Sequence, residues 1–391
     1  MPTCLAALLI CFCPIGPQSA DIDAHISALK ARDMQGRLKA AIALRKLGAK
    51  AEPAIPALVA CLNDDRGETY EIRVGNRCAE ALAAIGKPAV GPVLEALESD
   101  SPKMFAGAAQ AVMLMQPPPK AALETLFTAL ADREEKPDKL SKPRNRGWVA
   151  AKVLAKFGAA AQPATGDLIT MLHSDNFHEQ IAAAEALGAI GPTAKRAVPR
   201  LMTLVSEGNT SSRGLSAIAL AQIGPVEGSD ILPPIEKATR DFSAVVRGRA
   251  MMALAILGPR AKPALPTVHK YLRDKSYRNR TEAAFAAWKI TGDAKEPLDV
   301  LISLASQLDF ELDALLIIGK MGPAAKDAAP TLLKMLDSKD PDKRFELVQT
   351  LKMIAAGSKD VQETLKKLAT TDPNADVRRA AKSTAIYGIP N

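Results

Sequence analysis

Histidine and glutamate are the residues best able to support metal or acid–base chemistry in this chain, and histidine is scarce. The four histidines are His25, His173, His178 and His269, and one of them forms the adjacent pair His178-Glu179. Protein metal sites need several imidazole, thiolate or carboxylate ligands that converge on one point. A single pair cannot supply such a set, so the sequence predicts no metal and no cofactor.

The sequence also lacks the other common catalytic motifs. No glycine-rich phosphate loop follows a strand, and no Gly-x-Ser-x-Gly nucleophile turn occurs. We therefore predict that the chain is not an enzyme and has no catalytic residues.

Positive charge is concentrated in the second half of the chain. Residues 21–195 hold 22 Lys/Arg against 21 Asp/Glu, whereas residues 196–391 hold 29 against 22. Within the second half, residues 237–289 hold twelve basic side chains against three acidic ones. Such an excess favours an acidic protein or an anionic polymer as partner. The candidate partner-binding residues are Arg213, Arg247, Arg249, Arg278 and Arg280.

A structural role competes with binding at some of these arginines. Arg37, Arg213 and Arg247 share one offset from the glycine that follows each of them, as expected of an arginine that packs between repeated units. Arg249 and Arg280 do not share that offset, so they are the better candidates for partner contacts.

Two of the five cysteines lie beyond the apolar N-terminal segment. Cys61 and Cys78 both fall on apolar helix faces, which favours two small buried side chains. A disulfide between neighbouring helices is the alternative if the protein is exported.

Recurring glycines define the elements that must position these residues. A glycine ends a short apolar helix at Gly48, Gly86, Gly158, Gly191, Gly224, Gly258, Gly292, Gly322 and Gly357. From Gly158 to Gly292 the spacing is 33, 33, 34 and 34 residues, a period that suits a pair of helices. Apolar and small residues one, four, five and eight positions before each glycine trace one helical face.

Prolines mark where the second helix of each pair begins. Glycine provides the backbone conformation that closes the first helix, and prolines such as Pro56, Pro199 and Pro330 then fit the first turn of the next. The sequence predicts an all-α protein, an α-solenoid of about eleven two-helix repeats.

Two phrases make the resemblance to a known family specific. The segments AAAEALGAIG at 182–191 and PTLLKMLD at 330–337 resemble HEAT repeats, in particular the phycobilisome-lyase-like subgroup. The pairs Val246-Arg247 and Val377-Arg378 match the Val-Arg pair of that family. The resemblance implies that the glycine-ended helices line a concave face. The resemblance extends to deoxyhypusine hydroxylases, which are HEAT-like iron enzymes with several His-Glu pairs. This chain has one such pair.

The chain divides into a predicted leader and one repeat array. Residues 1–20 carry no charge and contain an apolar run, which predicts a secretory leader and an exported protein of the periplasm or cell envelope; the protein is cytoplasmic if no leader is present. Residues 21–391 are expected to form a continuous array with loop insertions near 64–76 and 132–145. No stretch is long and apolar enough for a transmembrane span.

These observations favour a non-enzymatic interaction scaffold that binds a protein or an anionic polymer on its concave face. A cytoplasmic nucleic-acid-binding array is the alternative, supported by the basic stretch and weakened by the few aromatic residues. A metal-dependent hydroxylase is the third, and it lacks ligands.

Overall fold

The structure, a computed structural model, describes residues 17–66, 73–132, 145–307 and 311–383, with only the backbone for residues 17–20 and 311. The predicted leader therefore lies outside the described residues, apart from the backbone of residues 17–20 within the first helix. Residues 67–72 of the predicted insertion near 64–76 also lie outside them, and its residues 74–76 belong to a helix, while residues 133–144 of the insertion near 132–145 lie outside them. Chain contacts divide the protein into two compact units, Met1–Leu168 and Ile169–Asn391.

The first unit is built from short helices in two alternating sets. They are α1 (Pro17–Leu29), α2 (Met34–Leu47), α3 (Ile55–Ala60), α4 (Val74–Ile85), α5 (Val90–Leu97), α6 (Pro102–Leu114), α7 (Leu123–Ala129), α8 (Arg146–Leu154) and α9 (Thr165–Met171), the last of which extends past the unit boundary. The glycine-ended helix α4 packs between α2 and α6, while α3 packs against α5 in a second layer.

The second unit repeats the same plan. Its helices are α10 (Phe177–Ile190), α11 (Val198–Glu207), α12 (Thr210–Ile223), α13 (Leu232–Ala238), α14 (Ala244–Leu257), α15 (Leu265–Tyr271), α16 (Tyr277–Thr291), α17 (Lys295–Ala305), α18 (Glu311–Met321), α19 (Ala329–Met335), α20 (Pro341–Ala355), α21 (Lys359–Thr371) and α22 (Ala375–Lys382). Helices α10, α12, α14, α16, α18, α20 and α22 stack in succession as one layer.

The fold prediction is confirmed. The described residues contain no β-strand, although an isolated bridge joins Val226 and Ser229. The glycine-ended helices bury leucines such as Leu82, Leu187 and Leu254 completely. None of the described helices combines the length and apolar composition needed to cross a membrane.

The closing glycines adopt a backbone conformation that other residues rarely reach. Gly191 has φ 78° and ψ −144°, and Gly258 has φ 56° and ψ −132°. These two glycines do not have the left-handed helical conformation expected at a helix end, although their positive φ still favours glycine. Gly292, with φ 76° and ψ −8°, does have it.

A 3₁₀ segment between the two helices of a repeat is the element that sequence analysis missed. It runs over Gly48–Ala54, Gly158–Ala164, Gly191–Ala197, Gly258–Ala264 and Gly322–Ala328. Each of these segments places alanine three and six residues after its glycine, and both alanines are buried, as at Ala261 and Ala264. The three-residue spacing matches the 3₁₀ period, so both side chains point into the core.

Candidate functional site

An arginine lies four residues after the N-cap residue of several helices in the layer that contains the glycine-ended helices. Its guanidinium donates hydrogen bonds to backbone carbonyls of the turn before the helix. Arg344, for example, donates from Nη1 to the carbonyl oxygens of Ser338 and Lys339 at 2.9 and 3.1 Å. The arginines at this position are Arg37, Arg213, Arg247, Arg280, Arg344 and Arg378.

Several of these arginines also reach an aspartate of the next repeat. Arg213 donates from Nε and Nη2 to the carboxylate of Asp241 at 2.7 and 3.0 Å, and Arg344 binds Asp372 in the same way at 2.8 and 2.9 Å. The hydrogen bond from Arg344 holds the pKa of Asp372 below its ordinary value. Such bidentate, charge-assisted hydrogen bonds are among the strongest polar contacts in proteins. These arginines therefore link neighbouring repeats, and we call their place in the repeat the bracing position.

The structure thus separates the five candidate arginines into two groups. Arg213, Arg247 and Arg280 occupy the bracing position, and Arg280 donates from Nη1 to the carbonyl of Asp274 at 2.8 Å. The sequence-based placement of Arg280 outside that position is wrong. Helix α16 is one residue longer than α12 and α14, so counting back from its glycine gave a different offset.

Arg249 and Arg278 remain on the surface of the stacked helices. The side chain of Arg249 crosses Gly214 of α12 so closely that a Cβ there would lie 2.5 Å from Arg249 Cδ. Its Nη1 donates to the carbonyl of Ser211 at 3.3 Å. Burial lowers the pKa of Arg249, while Glu185 raises it and Arg278 lowers it. Arg278, on α16, is exposed.

Apolar side chains lie beside Arg249 on the same face of α14. Val245, Met252 and Ile256 are 47%, 37% and 42% exposed, which is unusual for large apolar residues on a packed helix. Positions 245, 249, 252 and 256 follow the helical repeat and form one row, which we call the α14 stripe. The charge pattern indicated the arginine of the stripe but not its apolar members, because their spacing alone does not distinguish a buried face from an exposed one.

Phe242 adds a further exposed apolar group at the turn before α14. Its side chain is 85% exposed, and the guanidinium carbon of Arg213 lies 4.8 Å from the ring centroid. This distance is typical of a cation–π contact. The bracing arginine thereby holds one face of the ring.

Glu282 of α16 is a titratable group that the sequence did not reveal. It packs toward Gly248 of α14, and its Oε2 is buried without a hydrogen-bond partner. Burial raises the pKa of Glu282 to about 7. The charge of Arg278 lowers this pKa to a smaller extent, and the charge of Asp313 raises it. The carboxyl group is therefore close to half protonated at neutral pH.

The His178-Glu179 pair lies in the first turn of α10, where it was expected. The side chain of Asn176 accepts hydrogen bonds from the backbone N–H groups of both residues, and Glu179 is buried. In the part of the chain that the structure describes, no group of three or more His, Cys, Asp or Glu side chains is placed to hold a metal ion.

Cys61 and Cys78 are free thiols in this structure. Cys78 is fully buried in α4, as the sequence indicated, while Cys61 is only half-buried at the end of α3.

The comparisons with known families agree with the repeat architecture. A model described as HEAT repeats matches residues 309–385, and a model described as PBS lyase HEAT-like repeat matches residues 37–64 and 179–207. The chain therefore contains HEAT repeats of both descriptions, and the resemblance noted from the sequence is confirmed. No curated protein sequence matches the chain.

The solved structures that match the chain include two of low sequence identity. An engineered protein is 20% identical, with coverage of 93% of this chain and 98% of its own, and a TM-score of 0.41. The complex of CpcE and CpcF of phycocyanin lyase from Nostoc sp. PCC7120 is 21% identical, with coverage of 75% and 93%, and a TM-score of 0.41.

The prediction that the chain is not an enzyme is contradicted by one of the family matches. The repeat model that matches residues 37–64 and 179–207 is named for a lyase. The error arose because an absence of familiar catalytic motifs was taken as an absence of activity, although an active site can be built without any of them.

Proposed function

We propose that this HEAT-repeat chain binds an acidic, partly apolar segment of a partner protein on the surface formed by α12, α14 and α16. The observation that carries the proposal is the α14 stripe, in which Arg249 lies among three exposed apolar side chains. Repeat scaffolds offer extended surfaces of this kind, and the expected concave face of the glycine-ended helices is where such a segment would lie.

The composition of the stripe favours a protein partner over a bare polyanion. Burial of the exposed side chains of Val245, Met252 and Ile256 lowers the free energy when apolar side chains of a partner cover them. Arginine flanked by apolar residues is a typical centre of protein–protein binding energy.

Charge determines which protein segment fits. Arg249 already donates to a backbone carbonyl, yet it retains other N–H donors, and the neighbouring Arg278 is exposed. Burial is the largest cause of the lowered pKa of Arg249, and repulsion by the positive charge of Arg278 lowers that pKa further. A carboxylate placed between them would relieve that repulsion and form charge-assisted hydrogen bonds.

The test uses two labelled synthetic peptides with the same apolar residues, one carrying glutamates and the other lysines. Fluorescence anisotropy with the full chain is expected to show binding of the acidic peptide that weakens as salt increases. The double variant Arg249→Glu/Arg278→Glu should weaken binding by about 100-fold if each arginine contributes about 1.4 kcal/mol.

Matched variants separate the two parts of the surface. Met252→Glu should weaken binding through loss of apolar contact, whereas Arg273→Glu, at an exposed residue of the turn after α15, should have little effect. Equal binding of both peptides, or undiminished binding by the double variant with intact helical circular dichroism, would refute the proposal. Tighter binding of a single-stranded oligonucleotide, unaffected by Met252→Glu, would favour the nucleic-acid alternative instead.

A further inference from the structure

The two cysteines among the described residues of the first unit come from neighbouring elements, since Cys61 follows the end of α3 and Cys78 lies in α4. The backbone N–H of Gly75, one turn before Cys78, donates to the carbonyl of Asp64, three residues after Cys61, at 2.8 Å. Interaction between the two thiols lowers the pKa of Cys61 and raises that of Cys78. The Cys61 thiol donates to the backbone carbonyl of Leu29, with an Sγ–O distance of 3.6 Å. The packing of α3 against α4 fixes this arrangement, so the interaction is part of the fold.

The two thiols differ in access to solvent. Cys78 is fully buried among the small residues of α4. Cys61 is half-buried and lines an open polar cavity of about 440 Å³ whose wall also includes Arg37, Asp64 and Lys103. A small anionic molecule can therefore approach Cys61 beside basic side chains, while Cys78 is shielded behind it.

We propose that Cys61 and Cys78 form a dithiol site that reacts with low-molecular-weight disulfides, with Cys61 as the attacking thiol and Cys78 as the resolving thiol. Cys61 attacks one sulfur of the disulfide as its thiolate, forms a mixed disulfide and releases one small thiol. Cys78 then gives up its proton and attacks the Sγ of Cys61, which releases the second small thiol. The two protein thiols are oxidised to one disulfide, and the external disulfide is reduced to two thiols.

Electrostatics support this order of attack. Interaction with the Cys78 side chain lowers the pKa of the Cys61 thiol, and Arg37 and Arg66 lower it further against burial and the charge of Asp64. The same interaction and burial raise the pKa of Cys78. The exposed thiol is thus the better source of thiolate.

The position of Cys78 in the repeat provides a variant that should keep the fold. Cys78 stands eight residues before its closing glycine, where other repeats carry alanine, including Ala40, Ala108 and Ala183. Those alanines are buried like Cys78. Cys78→Ala therefore installs the residue that the repeat already uses there.

The experiment exposes the full chain to graded ratios of reduced and oxidised glutathione, blocks remaining thiols by alkylation, and maps tryptic peptides by mass spectrometry. Cleavage after the basic residues separates peptide 51–66, which contains Cys61, from peptide 78–103, which contains Cys78. Cys4, Cys11 and Cys13 fall in peptide 1–30 and are followed separately.

The wild-type protein is expected to yield the cross-linked pair of peptides 51–66 and 78–103. Cys78→Ala should instead accumulate glutathione on Cys61, because the resolving thiol is gone. Cys61→Ala should leave Cys78 unmodified, since the buried thiol is not reached directly. Absence of the cross-link at every ratio would overturn the proposal, and so would a glutathione adduct on Cys78 in Cys61→Ala, or no adduct on Cys61 in Cys78→Ala.

Discussion

Replacing Glu282 by glutamine should change how the stability of the second unit depends on pH. The folded protein raises the pKa of this carboxyl group from 4.5 to about 7 by burial. Between those two values the unfolded chain has lost the proton and the folded chain keeps it, so stability falls as pH rises. At about 1.4 kcal/mol for each tenfold change in proton affinity, the loss approaches about 3 kcal/mol above pH 7.

Glu282→Gln removes this titration while keeping nearly the same shape. The variant should therefore be more stable than the wild type at pH 8, and its stability should change by about 3 kcal/mol less than that of the wild type between pH 4.5 and pH 8. Urea unfolding followed by circular dichroism at several pH values measures both quantities. Glu207→Gln, at an exposed end of α11, serves as the control and should retain the wild-type pH profile.

The opposite result has a clear meaning. If the pH profiles of Glu282→Gln and the wild type coincide, the buried carboxyl group does not titrate as its surroundings require, and the reasoning from burial is refuted. A variant that is less stable than the wild type at pH 8 would show that ionised Glu282 makes a favourable contact.

Four further predictions concern the repeats and their ends. Arg344→Ala should destabilise the second unit by about 3 kcal/mol in urea unfolding, because it leaves the buried carboxylate of Asp372 without its partner; unchanged stability would mean that the brace contributes nothing. Gly191→Ala should cost about 1–2 kcal/mol through its positive φ alone, since a Cβ meets no atom within 4 Å there, and a thermal unfolding curve like that of the wild type would contradict this. His178→Ala should alter stability by less than about 1 kcal/mol, and loss of stoichiometric iron in that variant, measured by elemental analysis, would revive the hydroxylase hypothesis. Intact mass of native material should place the mature N-terminus near Asp21, and a retained N-terminus would sink the export hypothesis.

The features that the sequence predicted correctly are those set by local and periodic chemistry. The closing glycines and the prolines of the second helices act within a few residues, so Gly191 and Pro199 mark their elements directly. Gly357 is the exception among the described glycines of this set, since it lacks a positive φ and α20 ends two residues before it. The 3₁₀ segments were missed because two alanines at a spacing of three also fit an α-helical face.

The features that the sequence missed depend on contacts between repeats. Arg280 was misassigned because its position is set by the start of its helix, at the Ser276 cap, and the count was made from the other end. The burial of Glu282 depends on its packing toward α14 beside Gly248, which lies a full repeat away in the sequence. The interaction between Cys61 and Cys78 likewise depends on how α3 meets α4, which spacing alone does not give.

The arginine braces also determine how the array can gain or lose a repeat. Asp241 accepts from Arg213 through its carboxylate and from Arg247 through its backbone carbonyl, and Asp274 offers its carbonyl to Arg280 in the same way. If residues 242–274 were deleted, Asp241 would directly precede the turn that now follows Asp274. Its carboxylate could then accept from Arg213 and its backbone carbonyl from Arg280. An array shortened in this way would keep both contacts at the junction.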